Sequence, residues 1–290
     1  MADGTRVDED LLRAWPLPAL GSDKDERGRL VVVAGSRETP GAGLLSVEGA
    51  FRVGAGKVQL ATVESRAGLL AAASPELMVT GLAEDDNGSI SPREADRVVD
   101  VVGSGVVLLG PGFSDTDAAE ALVESVAPRL GQTVVLDALA TAYVTGRHDD
   151  VAALDASVVL TVNPGELACC LEVEDDEVED DLVSAAVRLA DRTGAVVLCG
   201  GEVKVVVAGG DVWRVEAGNP GLGTAGSGDV QAGIAAGLLA RGAEPAQAAV
   251  WAAYLHATAG DRLAERVGPV GYLARELPGE LPRLLAGLAG

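Results

Sequence analysis

The stretch GNPGLGTAGSGDVQAGIAAGLLARG, residues 218–242, sets a glycine-rich loop directly ahead of an apolar helix, with one carboxylate, Asp229, at the junction. Gly221, Gly223, Gly226 and Gly228 let the backbone approach a ligand with no Cβ in the way. Successive N–H groups and the positive end of the following helix can then face an anion. This is phosphate-binding chemistry. An acid in a first helical turn is favoured by the helix dipole, and an ordinary helix N-terminal acid is one reading of Asp229. Beside bound phosphate, however, a carboxylate repels the ligand unless a metal or a proton transfer justifies it. The density of glycine favours that second reading, in which Asp229 does chemistry.

Those residues need a rigid frame. Short β-branched runs alternate with longer alanine-rich segments from about residue 30 onward, the signature of βαβ units and a mainly parallel sheet. The expected strands are 29–35, 57–63, 105–110, 133–138, 157–162 and 195–200, followed by a hairpin of 203–209 and 211–218 across Gly209-Gly210. Helices are expected near 42–55, 115–130, 182–193, 227–241 and 245–266. Ligands in open parallel sheets bind beyond the carboxyl ends of the strands. Four loops fall there: 36–43 (SRETPGAG), 110–115 (GPGFSD), 162–166 (VNPGE) and 218–229, and together they predict a single large cleft. Each alone is weak, since Asn163-Pro164-Gly165 is also an ordinary turn with Glu166 opening a helix.

The 290 residues suffice for one large α/β domain over 1–290, with residues 1–24 as an N-terminal extension packing on it. With aromatic residues at 3%, the core must be aliphatic strands against alanine-rich helices. A formal charge of −22 speaks against nucleic acid as the partner, because polyanion binding needs clustered Lys and Arg. Three cysteines, Cys169, Cys170 and Cys199, two of them adjacent, suggest a reduced cytoplasmic protein. The acidic start MADGTRVDEDLLRAW has no leader pattern, and no apolar run reaches the ~20 residues that span a bilayer. With only His148 and His256, and no CxxC, there is little material for a zinc site. His148, in the polar run GRHDD, reads as a solvated loop residue, and 172–181 (EVEDDEVEDD) as a solvated loop and helix start.

Taken in order, these clusters resemble the ADP-dependent NAD(P)H-hydrate dehydratases of the ribokinase-like superfamily. The likeness covers nearly the whole chain: 25–62, SPELMV at 74–79, LGPGFS at 109–114, VVLDALA at 134–140, LTVNPGELACCL at 160–171, the 218–242 stretch and YLHATAGDRLAER at 254–266. It implies a three-layer α/β/α sandwich and a repair reaction. ADP phosphorylates the hydroxyl that erroneous hydration leaves on the reduced nicotinamide ring, and phosphate then departs to restore NADH or NADPH. Matched residue by residue, the resemblance assigns Ala42, Gly112, Asn163 and Asp229 to the hydrate. Asp229 is the catalytic base. It assigns Cys199, Gly200, Gly201, Glu202, Val203, Gly226, Ser227 and Gly228 to the nucleotide. Mg²⁺ on the diphosphate and a homo-oligomer, often a tetramer, are also implied, and no metal-ligand set is assigned. Asn219 and Glu166 fall in matching strings as loop organisers or metal-water contacts, or simply as a turn Asn and a helix N-terminal Glu.

Three positions depart from the family pattern. Asn163 stands in VNPGE where PHPGE is usual, so a group able to carry a proton is lost. The chain reads Cys199-Gly200-Gly201-Glu202-Val203 where KGxxT is usual, and both a cation and a hydroxyl are gone. Lys204 lies nearby, but a one-position shift in a strand reverses the face. Asp137 is followed by Leu139 where a second acid is common. A diverged small-molecule kinase and a non-catalytic nucleotide-binding homologue therefore stand as alternatives to a working dehydratase.

Overall fold

The computed structural model describes residues 4–288; the first three residues of the expected N-terminal extension and the last two of the chain lie outside the described residues. In chain order the strands are β1 (Thr5–Arg6), β2 (Arg29–Val33), β3 (Lys57–Val63), β4 (Met78–Leu82), β5 (Val106–Leu109), β6 (Val134–Asp137), β7 (Val158–Val162), β8 (Val196–Cys199), β9 (Lys204–Ala208) and β10 (Asp211–Val215). The helices are α1 (Glu9–Ala14), α2 (Gly41–Arg52), α3 (Glu64–Ala73), α4 (Ala95–Val102), α5 (Thr116–Val126) and α6 (His148–Ala152). There follow α7 (Pro164–Leu171), α8 (Asp175–Asp180), α9 (Leu182–Thr193), α10 (Ser227–Ala240), α11 (Pro245–Arg266) and α12 (Leu281–Leu288).

All ten strands join one sheet in the order β1-β10-β9-β8-β7-β6-β5-β2-β3-β4. Only β9 runs antiparallel to its neighbours, as the hairpin across Gly209-Gly210 requires. The central strands are unbroken aliphatic runs because both faces are covered. Leu30, Val32, Leu108, Val135, Val159, Leu198 and Val206 join a core with residues of α2, α10, α11 and α12. Their alternating neighbours Val31, Val33, Val107, Leu109, Val134, Leu136, Leu160, Val197 and Val205 join a second core with residues of α4, α5, α7 and α9. The result is the three-layer, mainly parallel sandwich, and every expected strand and helix is present within a few residues.

The N-terminal segment docks on the hairpin and α11. β1 pairs parallel with β10, Trp15 stacks on Trp213 at 5.7 Å, and Trp251 Nε1 donates to the Trp15 carbonyl at 3.0 Å. Edge strand β4 and helices α3 and α4 were not expected from the sequence. MVTGL, with a central Thr-Gly, carries weak strand signal and gains its pairing from β3. His148 corrects an expectation: it opens α6, is half-buried, and its Nε2 lies 2.7 Å from the Cys170 carbonyl instead of in a solvated loop.

Candidate active site

The carboxyl ends of β8, β7, β6, β5 and β2 follow one another along the sheet, and they carry in turn Gly200, Asn163, Asp137, Gly110 and the 34–36 turn. Over the β8–β6 part lies a cavity of about 810 Å³. Its wall includes Asn163, Glu166, Gly200, Gly201, Glu202, Gly226, Ser227, Gly228 and Asp229, and also Asp137, Lys204 and His256. Cys199 and Val203 do not line it. The Cys199 side chain is fully buried in the core on the α9 side of the sheet, where burial pushes its thiol up to about 12. Ala42 and Gly112 do not line it either. They meet each other at the β2/β5 end, where a Cβ on Gly112 would stand 2.7 Å from that of Ala42. Thr39 Oγ1 donates to the Gly112 carbonyl at 2.7 Å. The four expected loops thus share one end of the sheet but divide two and two, joined where Leu45 of α2 lies against Gly226.

Each wall has a local cause. Gly226, the N-cap of α10, holds φ +87, a left-handed conformation that L side chains rarely adopt, and turns the loop into the helix. The Ser227 N–H closes the turn onto the Thr224 carbonyl at 3.2 Å, while the next amides, of Gly228 and Asp229, have no side-chain cap and are available to an anion. Asn163 and Glu166 form a reciprocal capping box on α7: Asn163 Oδ1 accepts from the Glu166 N–H and Glu166 Oε2 from the Asn163 N–H, each at 2.9 Å. The position where a histidine is usual is thus occupied by a helix cap. Asn163→Ala should lower stability by ~1 kcal/mol, read as a melting temperature reduced by ~2–4 °C; an unchanged melting curve would show that the box contributes nothing.

The 218–223 loop is fixed from a distance. Asp261 of α11 accepts from the Gly218 N–H at 2.9 Å and from Asn219 Nδ2 at 3.0 Å. Asn219 Oδ1 accepts from the Gly221 N–H at 3.0 Å and from the Tyr272 hydroxyl at 2.9 Å. Beneath the loop, Ser227 and the buried His256 are in contact, Oγ to Nε2, at 2.9 Å. Burial first, and Lys204 second, hold that imidazole well below its ordinary pKa, so it is neutral.

Three carboxylates set the electrostatics. Asp229 is half-buried in the first turn of α10, and burial, reinforced by Glu166, raises its pKa to about 6. Glu166 is also raised by burial. Asp137 is buried at the end of β6 and raised well above the carboxylate range, first by burial and further by Asp229 and Glu166. The Thr161 hydroxyl donates to its Oδ1 at 2.6 Å and opposes that shift. An acid tuned towards neutrality beside free helix N-terminal amides can take a proton from a hydroxyl as that hydroxyl attacks bound phosphate.

Lys204, Asp137, Thr161, His256, Asp261 and Tyr272 were not assigned to the site from the sequence. The available signal was a charged residue opening the otherwise apolar run KVVVA, and one polar residue closing or interrupting each of VVLD and VVLTV.

The fold is ribokinase-like. A ribokinase-like superfamily protein from Enterococcus faecalis V583 superposes with a TM-score of 0.81 at 24% identity, over 98% of this chain and 96% of its own. The model of the NAD(P)H-hydrate dehydratase family matches residues 30–283, and the chain belongs to that family. A curated relative from Xanthomonas campestris pv. campestris, an ADP-dependent (S)-NAD(P)H-hydrate dehydratase, is 42% identical over 94% of this chain and 93% of its own. The bifunctional NAD(P)H-hydrate repair enzyme of Moorella thermoacetica is 35% identical over 96% of this chain, which spans 54% of that longer protein. The ADP/ATP-dependent NAD(P)H-hydrate dehydratase of Bacillus subtilis, co-crystallised with ATP/Mg²⁺, superposes with a TM-score of 0.86 at 27% identity, over 99% of this chain and all of its own.

Proposed function

We propose that this chain is an ADP-dependent NAD(P)H-hydrate dehydratase that acts on the S-epimer and releases AMP and phosphate. The observation that carries this reading is the position of Asp229, half-buried with a pKa raised to about 6, at the junction of the uncapped α10 amides and the cavity. The hydrate's hydroxyl oxygen attacks the terminal phosphorus of ADP while Asp229 takes its proton. The new P–O bond forms, the P–O bond to AMP breaks, and AMP leaves. The amides of Gly228 and Asp229 meet the charge gathering on the phosphoryl oxygens. The ring nitrogen's electron pair then expels phosphate, and loss of a proton from the adjacent ring carbon restores the reduced nicotinamide. For this second stage the protein needs mainly to hold the ring and exclude water.

Among the described residues no group of three or more His, Cys, Asp or Glu is arranged to hold a metal ion. Asp137, Glu166 and Asp229 nevertheless raise one another's pKa values or are raised by burial, and such a floor fits a cation that arrives on the diphosphate and meets the protein through water. Mg²⁺ carried in this way would neutralise charge on the phosphates. Ala42 and Gly112 then flank the hydrate at the β2/β5 end, and the 200–203 loop flanks the nucleotide.

Residues 1–290 act in this reading as one domain in a reduced, cytoplasmic setting, in accord with the free thiols of Cys169, Cys170 and Cys199. No helix of the described residues is long and apolar enough to cross a membrane. A homo-oligomer, with a tetramer as its form, is supported by exposed Leu69 on α3 and exposed Met78 on edge strand β4; light scattering should give a multiple of the 29.2 kDa chain, and a monomer at working concentration would contradict it. The function itself is tested by mixing the protein with NADH hydrate, Mg²⁺ and ADP. Absorbance of the reduced ring should return, and a folded, ADP-binding protein that restores none of it would refute the proposal.

A further inference from the structure

Lys204 is the one cationic side chain among the described residues that line the cavity. It is only 6% exposed, and no hydrogen bond or ion pair among the described residues engages its ammonium. An ammonium removed from water without a counter-ion is costly, and sites keep such groups where a ligand supplies the missing charge. The cost is visible here, since burial pulls the amine down to about 8. Lys204 opens β9 on the face that carries Val206, towards α10 and α11, where Ser227 and His256 sit under the glycine loop. Cys199, which stands where the family has its lysine, turns to the other face. The shift of position that reverses the face along a strand thus delivers Lys204 to the cavity from the hairpin, after the 200–203 loop has changed the chain's direction.

We propose that Lys204 is the phosphate-binding cation of this site, holding the diphosphate of the nucleotide from the floor of the cavity in place of the lysine missing at position 199. The proposal rests on the adenine-nucleotide reading above. It gives the ligand's negative charge a partner inside a chain of net charge −22, in a cavity lined by the carboxyl groups of Asp137, Glu166, Glu202 and Asp229.

Titration calorimetry on the full chain tests it with ADP and with adenosine, which shares the base and sugar but carries no phosphate. Lys204→Met should weaken ADP roughly 10- to 100-fold, the loss of a charge-assisted hydrogen bond to phosphate. Adenosine affinity should stay within about twofold, and Lys204→Arg should restore most of the ADP affinity. The ligand-free melting temperature of Lys204→Met should rise, because a buried unpaired charge is gone, whereas a merely structural lysine would lower it. A second readout needs only the wild type. Around pH 8.5, ADP binding should take up protons, seen as a dependence of the binding enthalpy on buffer ionisation, because the anion restores the ammonium. The other cavity groups with raised pKa values, Asp137, Glu166 and Asp229, remain in Lys204→Met, so the uptake should disappear in that variant if the lysine is its source. Unchanged ADP affinity in Lys204→Met, or ADP binding without proton uptake, overturns the assignment while leaving the nucleotide site standing; a wild type that binds adenosine and ADP equally overturns it as well. Absence of any ADP binding by folded wild type sinks the nucleotide reading, and this proposal with it.

Discussion

Asp229→Asn should lower turnover by ~10²–10⁴-fold, the usual contribution of a positioned general base, while ADP still binds. Asn preserves the shape and the hydrogen-bonding edge but cannot accept the hydroxyl proton. The pH dependence follows from the same carboxyl. Its pKa is about 6 in the folded chain, so the wild-type rate should fall as pH drops through about 6 and the base becomes protonated. Stability moves in the opposite sense. The folded value lies above the ordinary aspartate value of 3.8, so between the two the folded state holds more protons than the unfolded, and acidification through that window favours folding. At neutral pH the ionised carboxylate therefore costs stability, and Asp229→Asn should gain on the order of 1–2 kcal/mol in denaturant unfolding. A variant that is both slower and more stable is the mark of a residue kept for chemistry. A variant of unchanged rate, or one that loses stability at neutral pH, would contradict the role.

The second large effect lies in the helix that carries Asp229. A Cβ on Gly233 would stand 2.1 Å from the Ser46 carbonyl oxygen, and one on Gly49 would stand 2.9 Å from the Val230 carbonyl oxygen, so α2 and α10 cross backbone to backbone at two facing glycines. Backbone cannot rotate aside as a side chain can. Gly233→Ala should lose ~2 kcal/mol, since a backbone clash at the upper end of the ~1–3 kcal/mol range for overpacking exceeds the ~1 kcal/mol that Ala gains over Gly in a helix. Gly233→Leu should fail to fold. Gly68 in α3 provides the contrast, because an added Cβ there meets nothing within 4 Å and the residue is exposed. Gly68→Ala should therefore stabilise by up to ~1 kcal/mol. Equal responses at the two positions would mean that the α2–α10 approach does not hold Asp229 in place.

The contrast between those two glycines shows where the sequence is legible. Strands such as Leu30–Val33 and Val158–Val162 announce themselves because both faces are buried, and α10 because its glycines, its acid and its apolar run are contiguous. The parallel sheet and the placement of Asp229 follow from such local signals. Edge strand β4 was hidden because its pairing with β3, not its own composition, makes it a strand. Within the site, Asp261 and Tyr272 reach Asn219 from 42 and 53 residues away, and no local pattern marks them. Lys204 was misleading for a related reason. Counting positions puts it on the face opposite Cys199, and so it is, but the cavity lies on the Lys204 side of the sheet and not on the Cys199 side. Asn163 shows the converse, since its local reading as a helix-opening turn is fully realised in the capping box, even while it stands in the cavity wall.

The central claim is that phosphoryl transfer and elimination follow one another in this one cavity, and product stoichiometry tests it most directly. NADH hydrate, Mg²⁺ and ADP should yield one AMP and one free phosphate for each reduced nicotinamide ring restored, counted by chromatography alongside the returning absorbance. AMP formed with a stable phosphorylated product and no restored ring would mean a kinase that stops after transfer, and would contradict the account.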